Sequence, residues 1–444
     1  MIKKFILILI LVFVAGNALI AQNNWNLSQC ISFALKNNIG LKKMEVGEKL
    51  AIENFRQSKR NLLPGISASS TAGFSFGRSV DPNTNGIVNN QFFNNSYDLS
   101  ASMTLFNGLK MINQIEYQKY VKQATEMNRL NAIDDLAFQV MTSYFDILYY
   151  QGILKITEKQ VEASGINLKK VERQVELGMK SKTDLYEMRA NYETEELKRI
   201  QAENSLKTAN LQLRQYLNLT DTIQVTLVEE QSPMIVAQIP EQQSLFSSYL
   251  EWSPNFQSYQ ALLKASRKQL SISRALLYPS VTAYGSVQSG YYETNKDEND
   301  KTIKYGKQLD NNLSQYLGTT VSIPIFSKWS SRSEIKKAKL EVEQAQNTLD
   351  EQKQKLYFEM QNNLNDLEAI EKEYNQYQKQ LEADKLAFQA AEKKIEQGVV
   401  SVVDFYIAKN RFANSESQVL KSRLQWEIKK KALDFYAGKR FWEQ

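Results

Sequence analysis

The chain has 444 residues, with 55 Lys and Arg against 49 Asp and Glu, and it contains no histidine. The absence of histidine excludes Ser-His-Asp triads, Cys-His pairs and histidine-based metal sites. Its 17 glycines and 7 prolines are few for a loop-rich β protein of this length, so long helices are expected.

The amino terminus reads MIKKFILILILVFVAGNALIAQ, in which two lysines precede about a dozen apolar residues and small residues near Ala18 and Ala21. This pattern predicts a cleaved secretory signal peptide over residues 1–21. Without Lys3 and Lys4, 53 basic and 49 acidic residues leave a net charge of +4, which is spread along the chain. Nucleic-acid binding therefore receives no support.

Cys30 is the only cysteine and lies in the amphipathic stretch SQCISFALKNN. No lipobox-like sequence precedes it, so we expect a small buried apolar residue rather than a reactive thiol or a lipid anchor. No later segment approaches 18 consecutive apolar residues. Any part of the mature chain that crosses a membrane must therefore do so as strands.

The chain repeats itself. From Ala101 to Tyr216 the first half aligns with the second at a constant shift of 220, and nearer the amino terminus the shift is 215, which pairs LLPGI with LYPSV. We predict a first repeat over residues 22–217, a linker over 218–241 and a second repeat with a carboxyl-terminal tail over 242–444. In the linker, TIQVTLVEE is a possible strand.

The sequence of each repeat predicts the same order of helices and strands. In the first copy these are a helix over about 27–61, a strand pair over 66–106, a long helix over 110–177 and a helix over 184–217. The strands SYDLSASMTLF and YLGTTVSIPIF alternate apolar and polar residues, and each strand has about the ten residues that a tilted strand needs to cross a bilayer. The loops within the pairs are long and polar.

Four strands cannot close a barrel, and open sheet edges are not tolerated in lipid. Closure would have to come from further copies, and three chains would supply twelve strands. The alternative is a soluble antiparallel sheet packed on the helices, which would leave the long helices with no obvious task.

The long helices carry a heptad seam of apolar residues. Its members are Val140, Ile147, Leu154, Val161, Leu168 and Val175 in the first copy, and Met360, Leu367, Tyr374, Leu381, Phe388 and Ile395 in the second. A sustained period of seven indicates coiled-coil packing against other helices. Such a helix of about 68 residues would span about 100 Å.

The phrases ELGMKSKTDLYE and EQGVVSVVDFYI occupy equivalent places after the two long helices. Gly178 and Gly398 lie where a helix would end in a left-handed residue, and Ser181-x-x-Asp184 and Ser401-x-x-Asp404 are capping boxes. Each phrase therefore predicts a tight helical hairpin tip. A carboxylate at a helix amino terminus explains Asp184 and Asp404 structurally.

The two tips differ in what they would expose. The first is basic and the second is apolar, with valines on a tip that has no evident core beneath it, so we expect docking surfaces. The alternative is that Val402 and Val403 pack on neighbouring helices. The predicted docking residues are Gly178, Met179, Lys180, Ser181 and Lys182 in the first tip, and Gly398, Val399, Val400, Ser401, Val402 and Val403 in the second.

This ordered set of features resembles the TolC family of outer-membrane efflux channels over about residues 25–438. The resemblance rests on the duplicated plan, on ALKNNIGL, LLPGI and LLYPS, and on the paired G-x-x-S-x-x-D tips. It implies a mainly α protein with membrane β structure: a homotrimer with a 12-stranded barrel in the outer membrane of a Gram-negative bacterium and a periplasmic tunnel of helices. Residues 218–241 would belong to a belt around that tunnel.

The resemblance also implies a gate at the ring of tips, with Asp404 and Asp184 as gate residues. A periplasmic adaptor (membrane fusion protein) and an inner-membrane pump of the RND, ABC or MFS type would open it. In the best-studied member two aspartates one turn apart line the aperture; the first matches Asp404, but the second position is Ile407 here. That member's latch arginine corresponds to Val400, so the latch must differ or be absent here.

The leading interpretation is a passive, gated exit duct in tripartite efflux or type I secretion, with no cofactor and no bond chemistry. Driving energy must come from elsewhere, because the sequence contains no phosphate-binding loop. One alternative is a periplasmic helical adaptor without a pore, which should carry a single hairpin with flanking lipoyl-like β sequence. Another is a carboxylate-based glycosidase, but nothing distinguishes an Asp/Glu pair among the many helix charges.

Overall fold

The computed structural model of the chain describes residues 24–80, 86–89, 91–219, 226–227, 241–299, 301–397 and 399–443. The predicted signal peptide, most of the predicted linker and Gly398 lie outside the described residues. The chain forms two compact units. The first contains the chain up to Glu45, Asn128–Gln257 and the chain from Gln352 onward; the second contains Val46–Met127 and Ser258–Glu351.

The described helices follow the predicted plan of each repeat except at its first helix. They are α1 (Leu27–Asn37), α2 (Ile39–Arg60), α3 (Lys110–Glu176), α4 (Lys182–Leu217), α5 (Gln242–Trp252), α6 (Pro254–Arg274), α7 (Tyr305–Asn311), α8 (Ser330–Glu396) and α9 (Val402–Tyr436). The two long helices, α3 and α8, have 67 residues each. None of the described helices combines the length and apolar character that a membrane-spanning helix needs.

The prediction of one long helix at the start of each repeat is wrong, because each is divided in two. Between α1 and α2, Asn38 has a non-helical backbone, with φ of −63° and ψ of 125°. Its Oδ1 accepts a hydrogen bond from the Leu41 N–H at 3.2 Å, which caps the start of α2.

In the second repeat the division falls at the equivalent position, Ser253. Pro254 follows it, and a proline disfavours helical backbone at the residue before it while fitting well at a first helical position. Ser253 Oγ accepts from the Phe256 N–H at 3.4 Å, so it caps α6.

The described strands are β1 (Asn24–Trp25), β2 (Gly65–Ser75), β3 (Arg78–Val80), β4 (Ile87–Asn89), β5 (Phe92–Asn107), β6 (Thr226–Leu227), β7 (Ser280–Tyr292) and β8 (Ser314–Ser322). β2, β5, β7 and β8 form an antiparallel sheet in that order, so β2 and β8 are its edges. β6 pairs in parallel with β1, which confirms part of the strand predicted in TIQVTLVEE.

Three details of the strand regions differ from expectation. The predicted polar loops hold the β3–β4 hairpin and the short helix α7. The apolar alternation in YLGTTVSIPIF predicted a strand to Ile325, but β8 ends at Ser322. Pro324 has no N–H to donate to a neighbouring strand, which accounts for the early end.

The four-stranded sheet has one apolar face and one hydroxyl-rich face. Leu99 lies opposite Ala68 and Val287, whereas Ser100 lies opposite Ser67 and Ser286. On the apolar face Leu317 is 88% exposed and Ile66 71%. No described helix covers these positions, so the alternative of a soluble sheet packed on the helices does not hold.

The main core lies in the first unit, and the heptad seams contribute to it. Val140, Ile147, Met360 and Leu367 are each at most 1% exposed, and the remaining seam residues are half-buried, as the coiled-coil pattern predicted. Cys30 is fully buried in this core, and burial raises the pKa of its thiol to about 12. The prediction of an inert, buried cysteine is confirmed.

Candidate functional site: the hairpin tips

The first tip ends α3 and starts α4 within five residues. Gly178 adopts φ of 72°, in the left-handed region that a residue with a Cβ rarely occupies. Its N–H donates to the Val175 carbonyl at 3.0 Å, and the Met179 N–H donates to the Gln174 carbonyl at 2.8 Å. These two bonds form the Schellman ending that the glycine predicted.

The second tip repeats this ending where it is described. The Val399 N–H donates to the Lys394 carbonyl at 3.0 Å, which is the counterpart of the bond from Met179. Gly398 itself lies outside the described residues, so its predicted left-handed conformation stays a prediction.

Serine caps start both following helices. Ser181 Oγ accepts from the Asp184 N–H at 3.1 Å, and the Ser181 N–H donates back to the Asp184 carboxylate at 3.2 Å, which completes a capping box. Ser401 Oγ likewise accepts from the Asp404 N–H at 3.1 Å and donates to its carboxylate at 2.7 Å. Each aspartate thus bonds to the serine of its own tip.

The exposure of the tip residues supports the docking prediction only in part. Met179, Val399 and Val403 are exposed by 71%, 70% and 51%. Ser181, Lys182, Ser401 and Asp404 are also exposed, whereas Lys180, Asp184 and Val400 are half-buried. The apolar surface of the second tip therefore consists mainly of Val399 and Val403.

Val402 corrects the expectation that the second tip has no core beneath it. It is 3% exposed and belongs to a small core with Val171, Met188, Phe405 and Tyr406. Its partners Val171 and Met188 belong to the first repeat, so the start of α9 packs against the α3–α4 hairpin. Val402 is a packing residue and is not accessible to a partner in this conformation.

A buried polar network lies beside this small core, and the sequence reasoning missed it. Lys409 on α9 is fully buried, and its Nζ lies 2.8 Å from Glu195 Oε2 and 3.0 Å from Oε1. The same Nζ donates to the Gln160 carbonyl at 2.8 Å and to Ser164 Oγ. Ser164 in turn donates to Glu195. We call Lys409, Glu195, Ser164, Gln160 and Tyr406 the buried lysine network.

Tyr406 completes that network by donating from its hydroxyl to Ser164 Oγ at 3.2 Å. Burial raises the pKa of Tyr406 to about 12 and, against the opposing effect of Glu195, lowers the pKa of Lys409. The two residues that donate across the contact, Lys409 and Tyr406, lie on α9, while the groups that accept from them lie on α3 and α4. The network therefore ties the second repeat to the first, a few residues beyond the tip.

The described part of the tips combines exposed charges with buried packing contacts. Within the described ranges, no group of three or more His, Cys, Asp or Glu side chains is placed to hold a metal ion. Ile407 lies three residues beyond Asp404, at the position where the family resemblance led us to compare a second aspartate. Its apolar side chain is 46% exposed. The gate roles of Asp404 and Asp184 stay predictions.

Comparison with known proteins gives a consistent result. The sequence profile of the family described as "Outer membrane efflux protein" matches residues 30–219 and 245–439. Outer membrane protein TolC of Escherichia coli K12 is 23% identical over 440 residues, which cover 96% of this chain and 84% of that protein. The proteases secretion protein PrtF of Dickeya chrysanthemi is 20% identical, with 96% and 90% covered.

The fold has solved counterparts. The outer membrane channel CmeC of Campylobacter jejuni superposes with a TM-score of 0.81 at 18% identity, over 94% of this chain and 86% of that one. At this identity the similarity establishes the fold.

Proposed function

The chain belongs to the outer membrane efflux protein family, and from that membership we propose that it is the outer-membrane channel of a tripartite efflux or type I secretion system. It would act as a passive, gated exit duct and would catalyse no reaction. The alternative of a periplasmic adaptor without a pore gains no support, because the family match covers both repeats.

The four-stranded sheet is the observation that carries the proposal. Leu317, Ile66 and Leu99 present an exposed apolar face, as a lipid-facing surface requires, while Ser67, Ser100 and Ser286 line the other. The edges β2 and β8 each have one neighbour within the described sheet. Unpaired edges are not tolerated in lipid, which favours closure with neighbouring copies. Three chains would give a closed barrel of twelve strands with a polar lumen.

Energy for export must come from a partner, since the chain has no phosphate-binding motif. We infer that a periplasmic adaptor and an inner-membrane pump supply it. The exposed apolar side chains of Met179, Val399 and Val403, together with Lys182, offer an accessible surface at the tips for an adaptor. Displacement of the tips would then widen the aperture.

Asp404 is the proposed gate residue. It is exposed at the first turn of α9, where three copies would form an acidic ring. Such a ring favours cations and is sensitive to their binding. Asp184 is half-buried at the equivalent place on α4 and would contribute less.

Reconstitution of the purified protein into planar lipid bilayers tests this function. The expected result is a small, discrete conductance from the closed channel, with cations preferred over anions. Protein that inserts and gives no conductance, or that fails to insert after extraction from the outer-membrane fraction, would overturn the proposal.

A further inference from the structure

The buried lysine network joins the two repeats of one chain in a defined sense. Lys409 and Tyr406, on α9 of the second repeat, donate hydrogen bonds. Gln160 and Ser164 on α3, with Glu195 on α4, accept them in the first repeat. In every bond between the two repeats the donor belongs to the second repeat and the acceptor to the first.

The shift of 220 residues gives every member of this network a counterpart. The acceptors Gln160, Ser164 and Glu195 correspond to Gln380, Asp384 and Ser415, and the donors Tyr406 and Lys409 correspond to Tyr186 and Arg189. The same set of groups recurs, namely a glutamine, a serine–carboxylate pair, a tyrosine and a cation, although the serine and the carboxylate exchange positions.

The serine–carboxylate pair is preformed in both repeats. Ser164 on α3 donates to Glu195 on α4, and in the second repeat Ser415 on α9 donates to Asp384 on α8. In the first repeat the carboxylate lies on the shorter helix α4, and in the second it lies on the long helix α8. In both repeats the pair joins the two helices of one hairpin. The second repeat therefore carries an acceptor group of the same kind as the one that holds Lys409.

The counterpart donors are not inserted into that group within one chain. The side chain of Arg189 is 62% exposed and lies 3.7 Å from Glu172, and Tyr186 is 64% exposed. Their counterparts Lys409 and Tyr406 are 0% and 5% exposed. An exposed tyrosine and arginine, three residues apart on one helix face, thus match an acceptor pair elsewhere on the chain.

A closed ring of identical chains would resolve this mismatch. In such a ring, first and second repeats alternate. Within a chain the second repeat donates to the first, so between chains the first repeat of one chain would donate to the second repeat of its neighbour. We propose that Arg189 and Tyr186 of one chain insert against Asp384 and Ser415 of its neighbour, as Lys409 and Tyr406 do within the chain. This inference rests on the proposed trimeric channel and names the residues that would join its subunits.

Cross-linking tests the proposed contact directly. The variant Arg189→Cys/Asp384→Cys is assembled in the outer membrane and treated with a short bifunctional thiol reagent. We expect covalent dimers and trimers on a denaturing gel, because each chain would be joined to both neighbours. The native Cys30 is 0% exposed and should not react. Wild-type protein treated with the same reagent provides the control.

A matched control lies on the same helix. Glu187 is exposed two residues before Arg189, and residues two apart point to different sides of a helix. Glu187→Cys/Asp384→Cys should therefore give little interchain product. Equal cross-linking of both pairs, or none from Arg189→Cys/Asp384→Cys in a preparation whose mass is that of a trimer, would overturn the inference while leaving the channel function standing.

Charge exchange provides a second readout. Arg189→Glu should speed trimer dissociation in detergent by at least about tenfold, because it leaves like charges facing across a buried contact. Arg189→Glu/Asp384→Arg should recover most of the wild-type rate. Equal dissociation rates for all three proteins would refute the contact. A wild-type protein that is itself monomeric would instead refute the proposed channel.

Discussion

Lys409 Nζ lies 2.8 Å from Glu195 Oε2, although the two residues come from different repeats and are 214 positions apart. Removing one member of a buried ion pair leaves the other charge uncompensated. We expect Lys409→Met to lower the free energy of unfolding by about 3–5 kcal/mol, measured by urea titration in detergent at fixed protein concentration.

Lys429 offers the control for that substitution. Its Nζ lies 2.6 Å from Asp366, but the two side chains are 30% and 50% exposed. Lys429→Met should therefore cost no more than about 1 kcal/mol. Equal losses for the two variants would mean that burial of Lys409 contributes nothing special to stability.

Asp134 should make stability depend on pH. Its side chain is buried with Oδ1 3.5 Å from Arg440 Nε, and burial raises its pKa from 3.8 to about 7 despite the arginine. Because the folded chain holds this proton more tightly than the unfolded chain, the stabilisation is present at low pH and is lost as the pH rises towards about 7. Asp134→Asn should gain in Tm relative to wild type as the pH increases through that range.

The variant Asp366→Asn provides a comparison, because it removes a carboxylate that is exposed and whose ion pair with Lys429 is partly in solvent. Its Tm difference from wild type should change little over the same pH range. If the curves of Asp134→Asn and wild type stay parallel, Asp134 does not titrate in this interval.

The valines of the second tip should separate docking from packing. Val403→Glu places a charge on an exposed position and should reduce efflux in cells that depend on this channel, with no loss of assembled protein. Val402→Glu buries a charge in the small core beneath the tip and should reduce the amount of assembled protein itself. Efflux susceptibility and the amount of extracted oligomer are measured together; wild-type efflux from Val403→Glu would exclude that position from the docking surface.

Asp404 has a capping role and a proposed gate role, and two substitutions distinguish them. Asp404→Asn keeps an oxygen that can accept from Ser401 but removes the charge, so it should raise the conductance of the closed channel and weaken block by divalent cations. Ser401→Ala should cost about 1 kcal/mol of stability and leave cation block unchanged. Unaltered cation block in Asp404→Asn would leave the aspartate with its capping role alone.

Local signals in the sequence were sufficient for the tips. Gly178 and the spacing of Ser181 and Asp184 act through bonds within a few residues, so their structure follows from nearby side chains. The two faces of the sheet were equally predictable from the sequence, because apolar and polar residues alternate over β5 and β8. The division of the first helix at Asn38 was missed because the asparagine sits inside an otherwise helical pattern, although Pro254 marked the counterpart in the second repeat.

The interior near the tip could not be predicted in this way. Lys409 lies on a helix rich in charged residues and resembles a solvated side chain, while the groups that bury it come from α3 and α4. Val402 was misjudged for the same reason, since Val171 and Met188 lie more than 200 positions away. The internal repeat held one usable signal: a cation occurs at both Lys409 and Arg189, and a serine–carboxylate pair occurs in both hairpins.

The mass of the protein extracted from the outer-membrane fraction, corrected for bound detergent, tests the central claim most directly. A mass of three mature chains is the predicted result, because a single chain supplies a sheet with two open edges. A stable monomer, or protein found only in the soluble periplasmic fraction, would contradict the channel.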